Sequence, residues 1–220
     1  EHTYHIDLNR MIRSNYNNAL SVFGGPHPTY TPEMVNNDYV DAICRGEGEI
    51  YFLQLIEKLK KGEDIYDTPN FWFKKKDGSI VKNKMGSLVE NLDDIPFPDR
   101  KLLYDADSKL RARGSKLFMS NRGCPYKCTY CASPFHWDRK TTRLRSPESV
   151  IEEMIHLKEN YWSATKYDYS ASANISDKES LKIEDNTIVY FVDDVFTVHK
   201  KRVKKLLRMM IDQKLGMKWK

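Results

Sequence analysis

Three of the chain's four cysteines fall in one short stretch, Ser120-Asn121-Arg122-Gly123-Cys124-Pro125-Tyr126-Lys127-Cys128-Thr129-Tyr130-Cys131, with the spacing C-x3-C-x2-C. Thiolates so spaced can wrap one face of a [4Fe–4S] cube, leaving the fourth iron without a protein ligand and open to a substrate or cofactor. An open iron points to chemistry rather than electron storage alone. A zinc ion is the plainer alternative, because His136, five residues beyond Cys131, would complete a Cys3His tetrahedron. A disulfide framework fits poorly: the cluster is odd-numbered, and a chain with no signal peptide reads as intracellular and reduced. The fourth cysteine, Cys44, lies in the apolar run Val40 to Cys44, where a small buried thiol is the ordinary reading.

Two other groupings could take part in chemistry. Asp193-Asp194 ends the clearest strand pattern, Thr187-Ile188-Val189-Tyr190-Phe191-Val192. Paired carboxylates at the carboxyl end of a strand stand where the active sites of (β/α) barrels form, although the pair would equally serve as N-cap of the helix that follows. Gly24-Gly25 ends a second strand-like run, Ala19 to Phe23, and Gly46 and Gly48 follow a third, Tyr39 to Cys44. Without a Cβ, such positions let a ligand or another backbone approach closely; tight turns with no ligand are the alternative.

The elements that must position these groups alternate in type. A weak helical pattern covers about 5 to 17, and a helix is expected from Glu49 to Lys61, with Ile50, Leu53, Ile56 and Leu59 as its buried stripe and Gly62 as its stop. Strand, glycine turn and helix form the unit of a parallel α/β sheet, whose ligands gather at the carboxyl ends of the strands. Phe71-Trp72-Phe73 and Ile80-Val81 flank an Asp77-Gly78 turn and read as a hairpin. Residues 91–100 form a proline-stiffened strap in which Asp93, Asp94 and Asp99 read as turn and cap residues. Lys116 to Met119 is a strand leading into the cysteines, and Ser146-Pro147 opens a helix buried through Val150, Ile151, Met154 and Ile155. Lys140, Arg143 and Arg145 read as a solvated loop, and the serine-rich residues 163–180 as a long surface insertion.

The chain has 220 residues, 40% of them apolar, and no run near the ~20 apolar residues needed to cross a bilayer. Its 36 Lys+Arg against 31 Asp+Glu leave a net charge of +5. Much of that excess lies in Lys200, Lys201, Arg202, Lys204, Lys205 and Arg208, but Val203, Leu206, Leu207, Met210 and Ile211 recur there at helical spacing. The basic residues therefore read as the wet face of an amphipathic helix rather than a nucleic-acid patch. The chain begins at Glu1 without a methionine and stops at Lys220 where a strand is due; it reads as a fragment of a cytoplasmic protein, inactive on its own.

At the cysteines the sequence resembles the radical S-adenosylmethionine (SAM) superfamily, whose pattern is C-x3-C-x-aromatic-C with Tyr130 in the aromatic slot. The resemblance implies that Cys124, Cys128 and Cys131 hold a [4Fe–4S] cluster whose free iron binds SAM, and that Tyr130 lies against the adenine. In that family an electron from the cluster breaks a carbon–sulfur bond of SAM to give a 5′-deoxyadenosyl radical. Val22 to Thr29, then Val40-Asp41-Ala42-Ile43, then Gly46-Glu47-Gly48-Glu49 resemble the last third of the cobalamin-binding domain that precedes the barrel in one large subfamily. There the glycine pair, here Gly24 and Gly25, lies against the nucleotide tail of cobalamin, and the Asp-Asp-x-Phe-Thr turn, here Asp193 or Asp194, receives the SAM amino group. The implied fold is α/β: the end of a Rossmann-like cobalamin domain over residues 1–62, a bridge over 63–113, and the first βα units of a partial (β/α)6 barrel over 114–220. The implied activity is methyl transfer or related radical chemistry on an unidentified substrate, fed by a reductant such as flavodoxin or ferredoxin. A non-catalytic zinc or nucleic-acid module built on the cysteine triplet, His136 and the basic helix is the competing class.

Overall fold

The computed structural model describes residues 2–16, 18–107, 110–111, 114–131, 142–162 and 187–220. His136, Lys140 and the 163–180 insertion lie outside the described residues. The chain divides into two compact units, one running to Glu90 and the other beginning at Asn91.

In the first unit α1 (His2–Asn15) precedes β1 (Val22–Phe23), α2 (Pro26–Tyr30), a 3-10 turn (Pro32–Asn36), β2 (Ala42–Cys44), α3 (Glu49–Lys61), β3 (Phe71–Lys74) and β4 (Ile80–Lys82). The sheet order is β1-β2-β3-β4. β1 pairs parallel to β2, whereas β2 with β3 and β3 with β4 are antiparallel. Side chains alternate across the strands, so Ala42 and Cys44 pack with Leu55, Phe71 and Phe73 on one face while Ile43 joins Met34, Val35 and Val40 on the other. The expected hairpin forms, with Gly78 at φ 84° in its turn. It extends this sheet, so the 63–113 stretch read as a bridge is shared: the hairpin lies in the first unit and residues from Asn91 on in the second.

The expected helix forms over Glu49–Lys61 and stops at Gly62 in the left-handed conformation, but its buried face is not the expected stripe. Leu55 is fully buried, whereas Ile50, Leu53 and Leu59 are exposed. Apolar residues repeated strictly every third position drift by about 60° per step round a helix of 3.6 residues per turn, so they do not share a face. Tyr51 and Leu55, four apart, do, and both pack on the core shared with Phe71 and Phe73. The Tyr51 hydroxyl donates to the Ser87 carbonyl at 3.2 Å, and a Cβ on Gly86 would come within 2.0 Å of that hydroxyl.

The second unit holds α4 (Arg100–Ala106), β5 (Ser115–Phe118), β6 (Asn121–Arg122), β7 (Arg143–Leu144), α5 (Pro147–Tyr161), β8 (Ile188–Phe191), α6 (Lys200–Asp212) and β9 (Lys218–Trp219). β5, β8 and β9 form an all-parallel ladder, and β6 pairs antiparallel with β7. Asp99 caps α4 by accepting from the Leu102 amide, and Ser146 caps α5 by accepting from the Ser149 amide, with Pro147 at the first position. Val150, Met154 and Leu157 of α5 and Leu206 and Met210 of α6 pack with Phe118, Val189 and Phe191 of the ladder. Among the described residues, no helix is long and apolar enough to cross a membrane. On α6, Lys200, Lys201, Lys204, Lys205 and Arg208 face water as expected, and Ile211, counted with the apolar stripe, is 65% exposed.

β5 buries the opposite set of side chains from a simple apolar reading: Lys116 and Phe118 are each 2% exposed, while Leu117 and Met119 face outward. The Lys116 ammonium donates to the Arg111 carbonyl at 2.5 Å and lies 4.5 Å from the centre of the Tyr104 ring. Burial, and then the nearby Arg100 and Arg111 guanidiniums, lower its pKa from the ordinary 10.5 to about 8. Below pH 8 the buried cation opposes folding. Between pH 8 and 10.5 the unfolded chain binds the extra proton, so stability rises with pH across that window. Lys116→Met is therefore expected to stabilise the protein by about 1–3 kcal/mol at pH 7. The gain should shrink towards pH 10, which urea midpoints at the two pH values will show. An equal gain at both would exclude the buried charge as its source.

Candidate functional site

The loop that carries the cysteines leaves the carboxyl end of β5, and its backbone is held from both sides by charged side chains. On the amide side, Asp193, two residues past β8, accepts from the Ser120 amide at 2.6 Å, from the Ser120 hydroxyl at 2.5 Å and from the Asn121 amide at 3.1 Å. Asp194 accepts from the Gly123 amide at 3.2 Å. On the carbonyl side, Arg100 donates to Leu117 at 2.9 Å, Arg145 to Met119 at 3.1 Å and Arg202 to Ser120 at 2.8 Å. The Leu117 carbonyl lies within β5 and the other groups past its end, and charged side chains supply their partners.

The arginines are themselves fixed. Glu153 of α5, 2% exposed, accepts from Arg100 at 2.7 Å through one oxygen and from Arg145 through the other. Arg202 also donates to the Arg145 carbonyl at 2.8 Å. Burial lowers the pKa of its guanidinium, partly opposed by the neighbouring Asp193 carboxylate.

Several expectations about these residues change. Asp193 and Asp194 do not cap α6: His199 occupies that N-cap, and the carboxylates turn to the cysteine loop instead. Arg143 and Arg145 are not a solvated loop, since Arg143 is 8% exposed and the Arg145 side chain 11%. The strap residue Asp93 accepts from the Ser146 amide at 2.9 Å and so ties the strap to the start of α5. Ser120, Glu153, Arg100 and Arg202 were missed as site residues. Ser120 is a neutral residue between β5 and β6 with no local signal, Glu153 and Arg100 offered only charge in ordinary helices, and Arg202 was hidden in a basic run.

All four cysteines are free thiols. Cys124 and Cys131 are half-buried and Cys128 is exposed, and the Cys131 amide donates to the Cys128 carbonyl at 3.1 Å, closing a turn. Tyr130 stands on that turn, 91% exposed. Among the described residues no three His, Cys, Asp or Glu side chains converge on a single ion; a cube instead distributes three thiolates over three separate irons. Three accessible thiols on one short loop match the donor chemistry of such a cluster. Cys44 does not, because it is buried, and burial followed by the charge of Glu49 pushes its thiol up to about 11.

In the first unit, Gly24 and Gly25 follow β1, and both are exposed. Gly25 has φ 92°, a conformation that favours glycine. Gly24 has no such constraint, and a Cβ there would meet Cys44 only at an ordinary 3.9 Å. Among the described residues, nothing requires glycine at position 24.

No protein-family model matches the chain. It is 31% identical over 211 residues to an uncharacterized methyltransferase of Pyrococcus horikoshii, an alignment covering 94% of this chain and 40% of that protein. It is 33% identical over 129 residues to the cobalamin-dependent radical SAM methyltransferase TokK of Streptomyces tokunonensis, covering 56% of this chain and 19% of TokK. The solved structure of OxsB, a cobalamin-dependent S-adenosylmethionine radical enzyme with aqua-cobalamin and S-adenosylmethionine bound, matches with a TM-score of 0.70 at 20% identity, over 99% of this chain and 28% of OxsB. The chain thus spans less than half the length of each of these proteins. An α/β fold with a mixed sheet and a parallel ladder is what this chain shares with OxsB. On the match to the Pyrococcus protein over 94% of the chain, to TokK over 56% of it and on the fold shared with OxsB, the chain belongs to the B12-binding radical SAM superfamily.

Proposed function

We propose that the protein is a radical SAM enzyme of the cobalamin-dependent group, with methyl transfer to an unactivated carbon as its leading chemistry. The observation that carries this reading is the thiol triplet on a loop fixed by Asp193, Asp194 and Arg202 at the carboxyl end of parallel strands, the edge where α/β proteins place their ligands. Residues 114–220 form the first βα units of a partial (β/α)6 barrel, and residues 1–62 the end of the cobalamin-binding domain. Cys124, Cys128 and Cys131 hold a [4Fe–4S] cluster, Tyr130 lies against the adenine of SAM, and Asp193 or Asp194 receives its ammonium. Gly24 and Gly25, exposed after β1, admit the nucleotide tail of cobalamin. Once bound, the cluster supplies the electron that cleaves SAM, delivered to it by a reductant such as flavodoxin or ferredoxin.

One experiment separates this reading from a zinc module. Anaerobic reconstitution with iron and sulfide is expected to give a brown protein; a colourless one holding about one zinc ion would overturn the proposal. A charge-assisted hydrogen bond to the ammonium contributes about 1.5–3 kcal/mol, so its loss weakens SAM roughly ten- to a hundredfold. Of Asp193→Asn and Asp194→Asn, at least one should do so in the reconstituted protein while iron content stays unchanged. Unchanged SAM affinity in both would remove the pair from the SAM site.

A further inference from the structure

We propose that Arg202 is a positioning residue for the cysteine loop, acting through the hydroxyl of Ser120. The inference rests on the reading of Cys124, Cys128 and Cys131 as iron ligands, and it assigns a task to a residue that neither the loop nor the carboxylate pair contains.

Ser120 is completely buried and joins three elements. Its amide and its hydroxyl both donate to Asp193, beyond β8. Its carbonyl accepts from the Arg202 guanidinium of α6 at 2.8 Å and from the Arg145 amide at 3.0 Å. The hydroxyl oxygen also faces another Arg202 nitrogen at 3.3 Å. A hydroxyl has one proton and two lone pairs, so Ser120 relays between the two charges: guanidinium to hydroxyl oxygen, hydroxyl proton to carboxylate. Arg202 and Asp193 are thus coupled through one small side chain between β5 and β6, four residues before Cys124.

That coupling fixes direction as well as energy. Arg202 spends its planar donor fork on two carbonyls, those of Ser120 and Arg145, a geometry that a lysine ammonium at the same place does not reproduce. Asp193 has both oxygens committed to Ser120 and Asn121. Asp193 thus holds the loop at Ser120 and Asn121, and Asp194 holds it at Gly123. The position of Cys124, four residues past Ser120, follows from a junction built from β5, β8 and α6. By contrast, Cys128 and Cys131 lie on a turn with an exposed thiol and an exposed tyrosine. Arg202 accordingly governs where the cluster is presented, whereas the three thiols govern whether it binds.

Three variants test this: Arg202→Met, Arg202→Lys and Ser120→Ala. Two measurements apply to each, amide exchange at Ser120, Asn121 and Gly123 in the protein without metal, and the change that SAM produces in the electron paramagnetic resonance spectrum of the reduced cluster. Arg202→Met is expected to accelerate exchange at these amides at least tenfold and to raise the SAM concentration needed for the spectral change at least tenfold, with iron and sulfide content near the unaltered level. Arg202→Lys should recover only part of either effect, and Ser120→Ala, which removes the relay but no charge, should reproduce both in weaker form. Global stability from urea midpoints distinguishes local release from unfolding; if Arg202→Met does not fold, Ser120→Ala decides the matter. Unchanged exchange and an unchanged SAM response in Ser120→Ala and in any folded Arg202 variant would overturn the proposal. If the unaltered protein takes up no iron and sulfide, the cluster reading fails, and the exchange measurement still decides whether Arg202 holds the loop.

Discussion

Replacing any one of Cys124, Cys128 and Cys131 with alanine is expected to abolish the iron–sulfur absorbance of the reconstituted protein, and Cys44→Ala to leave it intact. The difference is in the state and place of the thiols. A cluster ligand is a thiolate, and the loop cysteines are half-buried or exposed on a segment whose backbone is already fixed. Cys44 lies against Leu55 and Phe71 in a separate apolar core, where its proton is held up to about pH 11. Two thiolates cannot replace three on one face of a cube, so each loop substitution acts as an all-or-none loss rather than a graded one. Iron and sulfide per chain, measured with visible absorbance, check the result. Loss of absorbance in Cys44→Ala to the same extent as in Cys128→Ala would sink the three-ligand assignment.

What the sequence made legible was what neighbouring residues decide among themselves. The cysteine spacing is complete within the stretch from Cys124 to Cys131. The Ser146-Pro147 helix start, the Gly62 stop and the Asp77-Gly78 turn rest on caps and φ values set within a few residues, and all are present. The clamp on the loop has no such local signature: Ser120 meets Asp193 across 73 positions and Arg202 across 82. Asp193-Asp194 therefore offered two equally local readings, cap and site. The structure shows neither side chain capping α6; both accept from loop amides instead, because β5 ends beside β8 in parallel register with Phe118 opposite Phe191. The misread stripe of α3 has a different cause, for spacing in threes imitates a helix face without being one. Lys116 shows a third. Period two places it on the same side as Phe118, and the large ring decides which side goes in.

Glu153→Ala is expected to destabilise the protein by about 3–5 kcal/mol, the range for breaking a buried ion pair from one side. Stabilities of small folds are typically about 5–15 kcal/mol, so this single change would remove a large share. Glu153 is 2% exposed, and its partners' side chains, on Arg100 and Arg145, are 10% and 11% exposed. Removing the carboxylate leaves two guanidiniums in low-dielectric surroundings with no counter-charge, and neither can neutralise itself by losing a proton. Arg100→Met should cost less, because Glu153 keeps Arg145. The damage should also travel. Arg100 and Arg145 hold the Leu117 and Met119 carbonyls, so freeing them loosens the end of β5 one residue before Ser120 and its junction with Asp193 and Arg202. Urea midpoints of Glu153→Ala and Arg100→Met will test the ordering, and amide exchange at Ser120 and Asn121 will test the transmission. A Glu153→Ala protein with unaltered midpoint and exchange would show that the buried carboxylate neither stabilises the second unit nor steadies the loop.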